Sequence, residues 1–449
     1  MNTAKIVVGG GIAGILSAIL LKKKQPQDRV LLIESEPECG GLLRSIVDDK
    51  GNEFDYGTHI VGDTGIKELD SILQKDIDEN WYRLPILKPG NYLHGHFHKY
   101  SQLMYAAALP KETLAQATYE LLSADHAQAK LAANQLDYCL TTYGKTFTDQ
   151  LFAPLLNKLF GAPLETLHKD AHRLFGYDRI ILGPAHMMRE LKHSPHLNDI
   201  LAFESYNEGV SSALNYYPKQ GKGVGLWVED LVGQAADLGV EVHTSTQVTG
   251  IKTDNKKVCQ LVTEQLGAID CDELIWTIPL FPLIKLTKLS FTPNYRPTIR
   301  KMRLHHFIFD RPFDTHNFHV YCNDPDMESF RITLYPNIAK DGEQNGKYRC
   351  TVEVLSEHLD NIEQHEAAIL AELKTMGVVN SEAQVISQFT TLITNGFPVY
   401  TNEFVDELKR QRDCVSEQLD NVRLLGKASA NNFFMADVLA EVFHDIKDK

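Results

Sequence analysis

An α/β fold is predicted, with a parallel sheet at the start of the chain, a mainly helical middle and a strand-rich region after it. Three observations predict it. Residues 5–8 form a short β-branched run that leads straight into Gly9-Gly10-Gly11-Ile12-Ala13-Gly14. From Gln102 to about Leu201, Ala-rich and Leu-rich runs recur with a period near 3.6, as in Leu114 to Leu122 and Ala127 to Leu140. From about Ser290 to Tyr335 the chain becomes strand-like again.

The run from Lys5 to Val8 is apolar on both faces, which suits a buried parallel strand. Gly9, Gly11 and Gly14 follow with G-x-G-x-x-G spacing. The first glycine permits a tight turn, the second lets a pyrophosphate approach the backbone, and the third lets the helix pack close to the strand. Ile12, Ile15, Leu16, Ile19 and Leu20 then recur at helical spacing, so a helix N-terminus faces the phosphates. Arg29 to Ile33 reads as a second strand. Glu34 lies twenty residues past Gly14, where a carboxylate binds ribose hydroxyls. A triad between strand and helix, with the acid at this distance, points to a dinucleotide on a Rossmann-type unit.

Gly40-Gly41 allows a second close backbone approach, and Arg44 is a candidate to neutralise a pyrophosphate. Ile46 to Asp55 reads as a hairpin turning at Lys50-Gly51, and it ends in Tyr56-Gly57-Thr58-His59. His94, His96 and His98 would share one face of a strand, but Gly95 marks a hairpin turn and no carboxylate or cysteine completes a ligand set nearby, so no metal is expected. In the helical middle lies Pro154-Leu155-Leu156-Asn157-Lys158-Leu159-Phe160-Gly161-Ala162-Pro163. Glycine-rich character returns at Tyr216 to Trp227. Strands are expected at Gly239–His243, Val248–Ile251, Val258–Val262 and Leu274–Pro279. Phe318 to Tyr321, a turn at Asn323–Asp326, and Phe330 to Asn337 follow. Arg331 alternates with apolar neighbours, as expected of a side chain projecting into a cavity. Arg349 to Leu355 is another strand and Ile362 to Met376 an amphipathic helix. Asn421 to Gly426 closes the first sheet, and a helix begins in Phe434 to Leu439.

Length and composition bound the functions. A chain of 449 residues suggests two or three domains. Apolar content of 43% and charged content of 23% are those of a globular protein in water. The net charge of −14 argues against general nucleic-acid binding. The seven cysteines are scattered, with no C-x-x-C, so neither a disulfide framework nor a zinc site is expected and a cytoplasmic setting fits. No run reaches the ~20 apolar residues of a membrane span, and the apolar stretch near the N-terminus is the nucleotide-binding unit, not a secretory leader.

The glycine triad, Glu34, Gly40-Gly41 and the Asp55-Tyr56-Gly57-Thr58-His59 segment resemble, in order, the flavoprotein superfamily of amine oxidases, protoporphyrinogen oxidases and UDP-galactopyranose mutases. The Pro154-x-x-x-Lys158 segment is similar to the mutase and protoporphyrinogen-oxidase branch, and Tyr321, ten residues before Arg331, with Asn337 after it, resembles the eukaryotic type of mutase. The resemblance implies non-covalent FAD in a discontinuous FAD-binding domain of residues 1–90, 205–289 and 401–449. It further implies a helical insertion at 91–204 and an antiparallel-sheet substrate domain at 290–400. FAD-binding positions would be Gly9, Gly11, Ile12, Ala13, Gly14, Glu34, Ser35, Gly41, Leu42, Arg44, Gly57, Thr58, His59, Val248, Gly426 and Met435. His59, Tyr321 and Arg331 would carry catalysis, and Tyr321, Arg331, Asn337 and Tyr400 would bind substrate. Two activities remain open. One is a mutase-like isomerisation of a nucleotide-linked sugar, with reduced flavin as nucleophile and NAD(P)H as a candidate external reductant. The other is an oxidoreductase taking a hydride from a small substrate. Asn215-Tyr216-Tyr217-Pro218 lacks the arginine that the eukaryotic mutases carry before the proline, and Lys427 stands where they have arginine. No nucleic acid and no integral membrane partner are expected, and an oligomer is compatible with the sequence.

Overall fold

The computed structural model describes residues 3–77, 79–209, 214–339, 346–356 and 362–448. Two seven-stranded sheets dominate it. In the first, the parallel order is Glu241–His243, Val30–Ile33, Ala4–Val8, Gly267–Trp276 and Val422–Leu424. Gly267–Trp276 is long enough to serve twice. Its first half pairs antiparallel with Lys257–Thr263, which pairs in turn with Val248–Asp254; its second half pairs parallel with Ala4–Val8.

Both faces of the parallel sheet are covered, which explains its unbroken apolar runs. Val7, Leu32 and Ile275 point to a core shared with helices Ile12–Lys24, Gly225–Asp237 and Met435–Asp448. Ile6, Val8, Leu31, Ile33, Leu274 and Trp276 point to the other face, under helix Leu280–Thr287. The sheet is therefore assembled from the start, middle and end of the chain.

The second sheet runs Val385–Pro398, Ile299–Phe309, Tyr348–Ser356, Ser329–Leu334, His319–Cys322, Pro89–Leu93, His96–His98. Its period-2 alternation separates two faces. Val320, Ile332, Leu334, Cys350 and Val352 pack beneath helix Ile362–Thr375 through Ile369 and Leu373. The opposite face carries His319 and Tyr321, Arg331 and Thr333, Thr351 and Glu353, which are direct cross-strand partners. This polar face meets Gly57 and Thr58 of the first unit.

The helical stretch largely follows its periodicity, with a break the pattern does not show. Lys111–Ser123 and Gln135–Tyr143 are helices, but between them only His126–Ala129 is helical, because Asn134 caps the later helix by accepting from Asp137 N. The three spaced histidines separate. His94 sits in the turn at φ 49°, while His96 and His98 stack on Tyr105 with ring centroids at 5.3 and 4.3 Å.

Candidate functional site

The glycine loop is shaped by close packing on one side and open space on the other. A Cβ at Gly14 would stand 1.8 Å from the carbonyl oxygen of Gly9, so the helix could not approach the strand with any other residue there. A Cβ at Gly11 would meet no heavy atom within 4 Å. Gly41 faces this gap, since a Cβ built on it would lie 3.9 Å from the Cα of Gly11. The gap opens at the N-terminus of helix Ile12–Lys24, where backbone N–H groups and the helix dipole favour an anion.

Glu34 lies over the same loop. Its carboxylate accepts hydrogen bonds from Gly10 N at 2.6 Å, Glu36 N at 2.8 Å and Ser35 Oγ at 3.1 Å. A pocket near 200 Å3 begins there and is lined by Gly9, Glu34, Ser35, Val248, Trp276 and Ile278 among others. Its apolar walls and single carboxylate suit an adenosine: base between side chains, ribose hydroxyls on the acid. At the other end, a Cβ at Gly426 would come within 2.9 Å of the Ala13 Cβ, so the closing strand-turn packs directly on the first helix. Met435 begins the last helix and packs with Ile12 on the shared core. These residues could together hold a dinucleotide.

Arg44 stands apart from that pocket. Its Nε donates to the carbonyl of Gly41 at 3.0 Å and its guanidinium lies 5.6 Å from the centre of the Tyr56 ring. It lines a different cavity near 380 Å3 with Glu38, Glu53 and Glu229. Leu42 packs toward the helical core.

Across the molecule, Gly57-Thr58-His59 meets the polar face of the second sheet. Gly57 has φ 104°, a left-handed conformation that favours glycine, and a Cβ there would stand 2.9 Å from the Glu353 carboxylate. Thr58 N donates to Glu353 Oε1 at 3.1 Å, and its hydroxyl pairs with that of Thr333 at 2.5 Å. Glu353 is fully buried and also receives the fork of Arg331, Nε to Oε1 at 2.6 Å and Nη2 to Oε2 at 2.8 Å. Arg331 Nη1 donates to the Tyr321 hydroxyl at 3.2 Å. Burial alone would lower the pKa of Arg331, but Glu353 and then Tyr321 raise it above the ordinary value, so its charge is permanent.

The histidines beside this pair are neutral near pH 7. Burial, then the charge of Arg331, pushes His59 down to about 4 and His319 to about 3. Burial and the neighbouring Tyr321 raise the pKa of Tyr177 and Tyr206, which stay protonated.

Thr58, His59, Tyr321 and Arg331 therefore lie in one neighbourhood. Asn337 and Tyr400 are differently engaged. The Asn337 amide donates to the carbonyls of Thr315 and Asn317 at 2.8 and 2.7 Å. Tyr400 sits in an aromatic set with His168, Phe404 and Phe433. Sequence reasoning missed Glu353 and His319. The signal for Glu353 was a lone acid in the apolar strand Tyr348–Ser356; His319 alternates with Tyr321. It also left Lys427 unassigned. No hydrogen bond or ion pair engages the exposed Lys427 among the described residues.

Comparison with known proteins agrees with this layout. A family described as an NAD(P)-binding Rossmann-like domain matches residues 7–74. A crystal structure of reduced UDP-galactopyranose mutase superposes with a TM-score of 0.77 at 16% identity, covering 100% of this chain and 95% of the other. A putative protoporphyrinogen oxidase from Exiguobacterium sp. 255-15 gives 0.70 at 16% identity, covering 100% and 98%.

The chain shares its fold with these solved structures. A putrescine oxidase variant redesigned in its cofactor binding extends the likeness, with a TM-score of 0.63 at 12% identity over 99% of this chain and 98% of that one. No curated protein sequence matches. At these identities the likeness speaks for the fold, and the chemistry has to be argued from the residues.

Proposed function

We propose that the chain is an enzyme holding FAD non-covalently and acting on a nucleotide-linked sugar, in the manner of a UDP-galactopyranose mutase. The observation that carries this reading is the Tyr321–Arg331 pair, set on the sheet face that meets Gly57, Thr58 and His59. Tyr321 and the donors of Arg331 beyond those used for Glu353 offer a diphosphate a phenol and a permanent cation. Neutral His59 offers a ring nitrogen without adding charge. Gly11, Gly41, Glu34 and the pocket at Val248 suit the dinucleotide part of the cofactor, and the unengaged Lys427 beside Gly426 could offset a pyrophosphate. When bound, reduced flavin supplies a nucleophile for an anomeric carbon; the chain binds, orients and shields the reactants. NAD(P)H is the candidate reductant.

One observation favours a second reading. Glu353 neutralises Arg331, so that pair has no net charge to offer a diphosphate. That suits an oxidoreductase removing a hydride from a small uncharged substrate. UDP titration decides between the two: the mutase reading expects saturable UDP binding that Arg331→Ala abolishes while FAD stays bound. Equal UDP affinity in the variant, or no binding at all, would favour the oxidoreductase.

A further inference from the structure

Helix Ala153–Phe160 carries Pro154 in its first turn and Lys158 in its last, and the lysine reaches out of the helix to the second sheet. Lys158 Nζ donates to three backbone carbonyls, those of Cys322 at 2.9 Å, Asp324 at 2.7 Å and Ser329 at 2.8 Å. Cys322 and Ser329 are the strand ends that frame the turn joining His319–Cys322 to Ser329–Leu334, and Asp324 lies within it. Tyr321 is the residue before that turn, and Arg331 comes just after it.

The same turn is gripped by an anion from another element. Glu372, on helix Ile362–Thr375, accepts from Glu328 N at 2.6 Å, Ser329 N at 3.0 Å and Ser329 Oγ at 2.6 Å. The cation takes the carbonyls and the carboxylate takes the N–H groups, so opposite backbone dipoles of one turn are satisfied by opposite charges. Arg300 anchors the lysine's own helix, donating to the carbonyls of Lys158 and Leu159 at 3.1 Å each and to that of Leu355 at 3.0 Å.

We propose that Lys158 is a positioning residue: with Glu372 it clamps the 322–329 turn and so sets where Tyr321 and Arg331 stand. Lys158 is half-buried and burial lowers its pKa, while Asp324 and Glu372 lie near enough to oppose that shift. A lysine kept for solubility would extend into water. This one spends its donors on carbonyls that would otherwise lose theirs, which ties the helical insertion to the hairpin of the second sheet. The ligand-binding consequence rests on the function proposed above; the clamp itself does not.

The test compares full-length Lys158→Met and Glu372→Gln with wild type, all loaded with FAD. Without ligand, hydrogen exchange should accelerate in both variants across residues 319–333 and stay unchanged in Ala4–Val8. With UDP as probe, Kd should rise on the order of tenfold to a hundredfold while FAD affinity holds. Glu372→Gln keeps volume and gives the readout if Lys158→Met does not fold. Unchanged exchange across 319–333 in the folded variants would overturn the clamp. Faster exchange with unchanged UDP affinity would overturn the positioning role. Wild-type protein that binds no UDP would count against the proposed function and leave the exchange result to judge the clamp.

Discussion

Arg331 and Glu353 are direct cross-strand partners whose side chains form a two-pronged ion pair, at 2.6 and 2.8 Å, on the polar face of the second sheet. Glu353 is fully buried and also receives Thr58 N. A single carboxylate thus joins the glycine-threonine loop of the first unit to the cation of the second.

Removing that carboxylate's charge should therefore act on both sides. Glu353→Gln leaves a buried guanidinium without its counter-charge, and should lower unfolding free energy by about 3 kcal/mol. FAD retention should weaken as well, because Thr58 loses part of its anchor. Denaturant titration and flavin release on dilution measure the two effects. Wild-type stability in the variant would mean that the pair contributes nothing.

Two glycines of one motif should fail differently. Gly14→Ala places a methyl 1.8 Å from the Gly9 carbonyl, so the apoprotein itself should lose about 1–3 kcal/mol or more. Gly11→Ala meets no protein atom within 4 Å, so the apoprotein should melt like wild type while FAD affinity falls. Thermal melts of the apoproteins and flavin titrations separate the cases. Tight FAD binding by Gly11→Ala would remove the gap at Gly11 from the cofactor site.

Glu34 orders the loop and could hold ribose through one carboxylate. Glu34→Gln should weaken FAD about tenfold, near 1.4 kcal/mol, since it loses a charged acceptor. Isothermal titration with FAD reads this directly, and an unchanged Kd would place the ribose elsewhere.

Acid should destabilise the fold before its carboxylates titrate. His59 and His305 are depressed to about 4, and His172, His306 and His319 to about 3, all first by burial. Below pH 6.5 the unfolded chain takes up protons on these rings and the folded chain does not. Their stabilising effect is complete above that pH and is lost as pH falls toward 4, at about 1.4 kcal/mol per ring per pH unit. Asp55 opposes them. Burial raises it to about 7, so its contribution is present below 3.8 and lost as pH rises through 7. The histidines outnumber it, and stability should fall between pH 6.5 and 5. His319→Gln should make that slope shallower. A rise in stability toward pH 5 would contradict the assignment.

The local signals were the legible ones. Gly9, Gly11, Gly14 and Glu34 lie within one strand-helix-strand unit, where spacing alone sets geometry. Arg331 was readable from its alternation with apolar neighbours and Tyr321 through the family resemblance, and the register of their strands sets them opposite each other. Glu353 was not, since its meaning depends on register with Arg331 from a different strand and on Gly57, hundreds of residues earlier. Lys158 was visible as a motif residue, but its partners are backbone carbonyls, which leave no trace in side-chain patterns. Asn337 shows the reverse. Its position after Arg331 suggested a ligand contact, yet its amide holds a loop at Thr315 and Asn317.

The central claim is tested most directly by turnover. The purified protein should carry a flavin spectrum that denaturation releases into solution. After reduction under anaerobic conditions, it should convert UDP-galactofuranose to the pyranose form with the flavin still reduced at the end. A colourless protein that FAD does not reconstitute would contradict the cofactor assignment. A flavoprotein that leaves the sugar nucleotide untouched, yet is bleached by an amine or alcohol, would contradict the mutase reading.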